Sequence, residues 1–552
     1  MKKGVPPEDG IIRKTWGDKL RICLAYPHAY GTGMSNLGFQ TVYRLFNEHP
    51  HVLCERVFFP SPREKAGRPI SIESGRPIRD FHILAFSVSF ENDYPRVLKT
   101  ISLAGIEISK EKRKEEDPLI IAGGIAVTLN PEPLADFIDL FLIGEGEVII
   151  PSFLESCLAG YEAKLKKEEL LEKIQREVPS AYAPALYRVE YKADGKIKEF
   201  TPVKRDLPVR VRRAWVNDLN AIPCEQVMVT REAELGSMYL VEVNRGCGRG
   251  CRFCAAGYVY RPVRFRGLAS IMTSLDRGIE KTNRIGLLGT AVSDHPELVA
   301  LCRYTVERGA EVAISSLRLD RLTDEVVDLL VKGGVKTVAM APEAGSQRMR
   351  NIIHKGVEDS HIWEALNLLL EKDIENIRIY FMIGLPEERE EDIEALIELV
   401  KKIQNFSLQV NGRERKIKST TLSINPFIPK PATPFQWEPL ASGRYLKGQI
   451  RRIKSALRRI SNLDVRVTSY RDSYLQALFS LGDRRVGQIL KSYHQGMNWS
   501  QVFGLCVPHP DFWVHRRKEW GEMLPWDFID HGVNRDFLKK EYASFRLSLN
   551  PR

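Results

Sequence analysis

At 552 residues, with 43% apolar and 28% charged residues, the chain is too long for one hydrophobic core and too apolar for a disordered polypeptide. Its net charge of +11 admits an anionic partner, while nine cysteines are too few and too scattered for a disulfide framework. The first residues carry no apolar stretch, and nowhere do some eighteen apolar residues run uninterrupted, so neither a secretory signal nor a membrane span is expected and the expected location is cytoplasmic.

Short apolar runs at Arg21 to Ala25, Val57 to Phe59, Ile83 to Ser87, Leu119 to Ala122 and Leu140 to Ile143 read as buried strands. Helical patterns such as Gly38 to Asn47 and Tyr94 to Ala104 lie between them. This alternation predicts a doubly wound parallel sheet over residues 1–155. Two turns in it, Gly123-Gly124-Ile125 and Gly144-Glu145-Gly146-Glu147, directly follow strands, where glycine lets the backbone approach a ligand or simply satisfies turn geometry.

Residues 156–232 read as a connector: one charged amphipathic helix over 160–177, then a hairpin about Ala193-Asp194-Gly195. From 233 to 440 the rhythm returns, with strands at Met238 to Val243, Ile285 to Leu288, Glu311 to Ser315, Lys336 to Met340, Asn376 to Met382 and Thr420 to Ile424. Helices fit between them, and six such units in series predict a partial (β/α)6 barrel. Residues 441–552 predict a small, mostly helical domain whose tryptophans Trp499, Trp513, Trp520 and Trp526 are read as core. Its basic segment, Arg451 to Ile460, has Ile453, Leu457 and Ile460 at helical spacing, so a solvated amphipathic helix accounts for it as well as nucleic-acid binding does.

The most informative stretch is Asn244-Arg245-Gly246-Cys247-Gly248-Arg249-Gly250-Cys251-Arg252-Phe253-Cys254, a Cys-x3-Cys-x2-Cys run leaving a strand. Three thiolates at this spacing can converge on one inorganic cluster and leave one iron of a [4Fe–4S] cluster without a protein ligand. Structural zinc usually takes four protein ligands, and no neighbouring cysteine or histidine completes this set. Cys23, Cys54, Cys157, Cys224, Cys302 and Cys506 stand singly and are read as small buried apolar residues.

The loop, with an aromatic residue before its third cysteine, resembles the signature of the radical S-adenosylmethionine (SAM) superfamily. The resemblance implies a [4Fe–4S] cluster on Cys247, Cys251 and Cys254, and SAM held on the open iron and cleaved reductively to a 5′-deoxyadenosyl radical. It also implies an electron donor such as a flavodoxin or ferredoxin. By the same likeness, Leu288, Gly289 and Thr290 would offer backbone contacts to the methionine amine, although Thr290 stands where the family usually has an acid. Ser316 and Arg318 end the third strand, with Arg318 suited to the SAM carboxylate; Glu343 would accept ribose hydroxyls, and Met382, Ile383 and Gly384 would flank adenine. Arg318 and Glu343 could equally make internal salt bridges.

The amino-terminal domain, Gly144-Glu145-Gly146-Glu147, Ala341 to Ser346, the Pro426 to Pro431 segment and Leu524-Pro525-Trp526-Asp527 make the whole chain similar to the cobalamin-binding-domain class of that superfamily. His28, His51 and His82 lack the context of the usual cobalt ligand, so cobalamin stays open. The expectations are cobalamin-dependent methyl transfer to an unactivated centre, radical chemistry without cobalamin, or a non-catalytic iron–sulfur protein that binds RNA or another partner.

Overall fold

The computed structural model describes residues 7–60, 67–223, 225–314, 317–372, 374–409 and 417–547. The amino-terminal unit is built on a six-stranded sheet of β1 (Leu20–Tyr26), β2 (Val52–Phe58), β3 (Ile83–Ser87), β4 (Leu119–Gly123), β5 (Leu140–Leu142) and β6 (Ala181–Tyr182). The order is β2-β1-β3-β4-β5-β6, parallel except for β6. Parallel strands are covered by helices on both faces, and β3 and β5 are buried at every residue, which is why they read as unbroken apolar runs. The order reverses between β1 and β3, so a crevice opens at the carboxyl ends of those strands.

The stretch read as one helix over 160–177 is instead the end of helix Gly146–Glu162 and a separate helix Lys167–Glu177. The break falls at Lys164, whose φ of 52° no right-handed helix accommodates. The hairpin follows as β7 (Tyr187–Tyr191) and β8 (Ile197–Pro202). Next, β9 (Val211–Arg212) pairs in parallel with β18 (Ile529–Asp530), tying the connector to the end of the chain.

The six strands read beyond residue 233 are present, but they do not form one continuous ladder. One sheet holds β10 (Tyr239–Arg245), β11 (Arg264–Phe265), β12 (Arg284–Gly289) and β13 (Glu311–Ile314). The other holds β14 (Thr337–Glu343), β15 (Asn376–Ile383), β16 (Ser419–Pro426) and β17 (Leu463–Val467). Among the described residues β13 and β14 share no ladder, so the predicted partial barrel is two sheets rather than one. The short β13 ends at Ile314, and the seam is packed by side chains: Leu317 and Val335 touch the apolar clusters of both sheets.

Strand β17 lies within the stretch read as helical and extends the second sheet in parallel beside β16. The helices after it bury Trp499, Trp513 and Trp526, whereas Trp520 is 44% exposed. Cys23, Cys54, Cys157 and Cys302 are buried, Cys506 is partly exposed, and Cys224 lies outside the described residues. No helix among the described residues is long and apolar enough to cross a membrane.

Candidate functional site

The cysteine loop leaves the carboxyl end of β10. Gly246, with φ of 84°, begins it, and a Cβ there would lie 2.5 Å from the Tyr260 carbonyl oxygen, so the turn into the first cysteine requires glycine. The buried Asn244 Nδ2 donates to the Gly246 carbonyl at 3.1 Å, and the Gly246 N–H donates to Thr290 Oγ1 at 3.2 Å. Beyond the turn, Arg252 N–H donates to the Ile353 carbonyl at 3.0 Å, Cys254 N–H to the Cys251 carbonyl at 3.1 Å, and the Tyr258 hydroxyl to the Gly250 carbonyl at 3.0 Å. Two adjacent strand ends and the loop's own turns therefore fix its course.

Cys247, Cys251 and Cys254 are free thiols, Cys251 buried and the other two partly exposed. Burial pushes the Cys251 thiol up to about 11, with nearby Lys355 and Arg318 drawing it down and Cys254 and Cys247 adding to the rise. Cys254 is raised for the same first reason, with Cys247 also contributing. The three sulfurs thus share one electrostatic neighbourhood, bordered by cations. Among the described residues no three His, Cys, Asp or Glu side chains converge as ligands of a single ion. Thiolates on a four-iron cluster each hold a different iron and need not converge so closely. Three thiols on a glycine-braced loop beside Lys355 and Arg318 are a donor set that suits such an anionic cluster.

Gly289 and Thr290 stand at the end of β12 beside this loop, with Leu288 half-buried just before them. Arg318 lies near Cys251 but is engaged by Asp320, through Nε at 2.9 Å and a terminal nitrogen at 3.2 Å. Glu343 accepts from Lys355 Nζ at 3.1 Å, and Lys355 in turn is close to the cysteines. Both internal salt bridges left open by the sequence are therefore made. Met382 packs in the same apolar cluster as Phe253 and Tyr258, whereas Ile383 is fully buried in the core. Gly384 donates its N–H to Glu388 Oε2 at 2.7 Å. Ser316 lies outside the described residues.

A cavity of about 420 Å³ separates the carboxyl edge of the amino-terminal sheet from the cysteine loop. Its inner wall is apolar, with Leu24, Phe46, Ala85, Ile121 and Ile150, and both glycine turns, 123–125 and 144–147, line it. Glu242, Asn244, Arg245, Tyr260, Gly289 and Thr290 face them from the other unit. No histidine is among its lining residues.

The carboxylates of the second turn do what its glycines alone did not reveal. Glu145 accepts from Arg264 at 2.7 and 3.0 Å, from Arg245 at 3.0 Å and from the Val216 N–H at 2.9 Å. Glu147 accepts from Arg245 at 2.5 Å, and Arg245 is also held by Glu242 at 2.7 Å. Burial would raise the Glu145 carboxyl, but the Arg264 and Arg245 guanidiniums outweigh it and hold it below the usual range. Gly144, with φ of 124°, makes room for this docking: a Cβ there would meet the Ala214 carbonyl oxygen at 2.3 Å. Nearby, Ile125 packs with Ala255 and Val259 directly after the third cysteine. Sequence reading singled out the turn that carries Glu145 and Glu147 but gave their carboxylates no partner, and it missed Arg264 and Tyr260; the one available signal was an arginine immediately before the cysteine turn, in need of a counter-charge.

A doubly wound domain thus faces, across a cavity, a second α/β unit that carries a strand-end loop of three cysteines. Residues 241–400 match the model of the radical SAM superfamily and residues 38–184 that of the amino-terminal region of radical SAM proteins. The chain belongs to the radical SAM superfamily, and is an enzyme of that type.

It is similar to an uncharacterized protein of Methanocaldococcus jannaschii, 29% identical over 85% of this chain and 90% of that one. An uncharacterized methyltransferase of Pyrococcus horikoshii is 22% identical over 53% of this chain and 60% of its own length. In fold, the chain resembles the radical SAM methyltransferase TsrM of Kitasatospora setae, with a TM-score of 0.51 at 12% identity, covering 88% of this chain and 98% of that one.

Proposed function

We propose that Cys247, Cys251 and Cys254 hold a [4Fe–4S] cluster, that SAM binds at the adjoining strand ends, and that the facing cavity takes cobalamin for methyl transfer to an unactivated centre. The observation that carries this reading is the placement of the cavity, at the switch point of a doubly wound sheet and lined on its far side by Asn244 and Arg245, which lead into the cysteine loop. When bound, the cluster supplies one-electron cleavage of SAM, and cobalamin a methyl carrier.

The chain's own residues bind and orient. Leu288, Gly289 and Thr290 present backbone beside the loop; Arg318 offers a planar guanidinium for a carboxylate in exchange for Asp320; Glu343 offers acceptors for hydroxyls; Met382, Ile383 and Gly384 form the adenine-side turn; and Ser316 belongs to the same set by its place in the sequence. The apolar inner wall, with Leu24, Phe46, Ala85, Ile121 and Ile150, would suit the flank of a large amphiphilic ring. The relatives named as methyltransferases support the transfer of a methyl group.

The test is anaerobic reconstitution with iron and sulfide, reduction in the presence of SAM, and chromatography with and without hydroxocobalamin. Cobalamin-dependent S-adenosylhomocysteine is the expected product. 5′-Deoxyadenosine alone would replace this reading with radical chemistry that needs no cobalamin, and neither product would refute SAM cleavage.

A further inference from the structure

The helix Gly443–Leu457 and the residue after it carry the most regular run of like charge on the molecule. Arg444, Lys447, Arg451, Lys454 and Arg458 are spaced by three, four, three and four residues, so they fall within about 80° of the helix circumference and extend for about 21 Å. All five are exposed. Arg452, off this stripe, is neutralised by Glu390 and Glu394, but among the described residues none of the five makes an ion pair. Lys447 lies over the Tyr470 ring, 5.3 Å from its centroid. The opposite face is fully used, since Leu446, Gln449, Ile453 and Leu457 are buried.

That geometry separates three kinds of anionic partner. A helix that inserts into an anionic membrane buries apolar side chains among the lipids, and here the apolar face is already committed to the protein core; a purely electrostatic lipid contact is what the vesicle measurement below separates. A protein interface draws on apolar and aromatic contacts at its centre, yet no large hydrophobic side chain of this helix is exposed. A polynucleotide backbone needs neither. It presents a phosphate at each regular step along a line, and arginine meets phosphate in a planar, two-point fashion.

The helix begins beside the proposed site, with its buried face turned towards it and the stripe facing out. Leu446 packs so closely on Gly384, at the carboxyl end of β15, that a Cβ there would come within 2.7 Å of it, and the Tyr445 hydroxyl donates to Glu388 at 2.9 Å. We infer that this helix is a docking face for the phosphate backbone of a polynucleotide. Its first turn lies at the carboxyl end of β15, which places the docked strand at the same end of the second sheet as the proposed site. The docking itself stands apart from the cluster; only this last step rests on the proposed function.

The experiment is fluorescence anisotropy with a fluorescein-labelled, mixed-sequence RNA of about 30 nucleotides, repeated with duplex DNA and across a salt series. The wild-type protein should bind with a log–log salt slope near −3.5 on single-stranded RNA, from about five phosphate contacts at roughly 0.7 each. The variant R444Q/R451Q/R458Q should bind about tenfold or more weakly and lose about 2 from that slope. Its iron–sulfur absorbance after reconstitution and its near-ultraviolet circular dichroism should be unchanged, which separates failure of docking from failure of the cluster or the fold. If the triple variant is unstable, the same slope is read for R451Q alone, with an expected loss of about 0.7. RNA preferred over DNA, or the reverse, identifies the polynucleotide. Wild-type binding to phosphatidylglycerol vesicles but not to nucleic acid, or an unchanged slope in the variants, would overturn the inference.

Discussion

Replacing Glu145 with alanine tests whether the amino-terminal domain is an integral part of the cysteine loop's support. Glu145 is 7% exposed and Arg264 likewise 7%. After E145A, Arg245 keeps Glu242 and Glu147, so the damage falls on Arg264. That guanidinium keeps the carbonyls of Val216 at 2.5 Å, Pro262 at 3.1 Å and Tyr260 at 3.3 Å but loses the one carboxylate it meets among the described residues. Stranding one partner of a buried pair costs about 3–5 kcal/mol. The carbonyls that remain place the expectation at the lower end, about 3 kcal/mol. E145Q, which keeps the shape and can still accept hydrogen bonds, should cost about 1.5–3 kcal/mol.

The assay is anaerobic urea denaturation followed by tryptophan emission. Trp215, whose ring lies 5.4 Å from the Arg264 guanidinium carbon, makes it sensitive to this contact. The carboxyl is held low in the folded chain, so its contribution is complete above the unfolded value near 4.3 and is lost as pH falls through the lower folded value. The gap between wild type and E145A should therefore narrow only in acid below about pH 4.3. A loss under 1 kcal/mol at pH 7 would refute the clamp.

Alanine at any one of Cys247, Cys251 or Cys254 should abolish both iron–sulfur absorbance and SAM cleavage, measured spectroscopically and by chromatography; retention of both would remove the cluster assignment. G289A places a Cβ 2.0 Å from Asn244 Oδ1 and should push aside the side chain that braces Gly246. We expect a loss of about 1–3 kcal/mol, read by urea denaturation, together with a lower cluster yield on reconstitution. Burial, aided by Asp392, pushes the Glu388 carboxyl up to about 7 although the Gly384 N–H and Tyr445 hydroxyl oppose it. The folded chain then holds a proton that the unfolded chain has already released, so this group lowers stability as pH rises from about 4.3 to about 7. E388Q should flatten that part of the stability profile, and an identical profile in wild type and variant would exclude the effect.

The strands were legible because parallel strands buried on both faces leave short apolar runs, as in Leu119 to Gly123 and Leu140–Leu142. The break at Lys164 was not: a lysine with positive φ gives no glycine signal, and the amphipathic pattern runs through it. Strand β17 alternates Leu463, Val465 and Val467 with Asp464 and Arg466, a period-two pattern masked by the helix before it. The seam between β13 and β14 depends on Leu317 and Val335 packing against both sheets, a tertiary matter without local periodicity. The grouping of the three cysteines on one loop after a strand was legible from the sequence, whereas the pairing of Glu145 with Arg264 spans 119 residues and leaves no trace in either local pattern.

The arginines between and beside the cysteines are each engaged by other groups. Arg245 is shared by Glu242, Glu145 and Glu147; Arg249 is held by Asp294 at 2.5 Å and Asp320 at 3.4 Å; and Arg252 donates to the Ile352 carbonyl at 2.7 Å. Their charges fasten the loop in three directions: to the amino-terminal sheet, to the turn after β12, and to the helix after β14. The cations that act on Cys251 come from further along the chain, Lys355 and Arg318, each steadied by one carboxylate. Glu145, which is buried, and Glu147 tie the amino-terminal domain to Arg245 and Arg264, and leaving either cation unpaired in the interior costs more than a loose domain contact returns. The turn after β5 therefore braces the end of the strand from which the cysteine loop leaves.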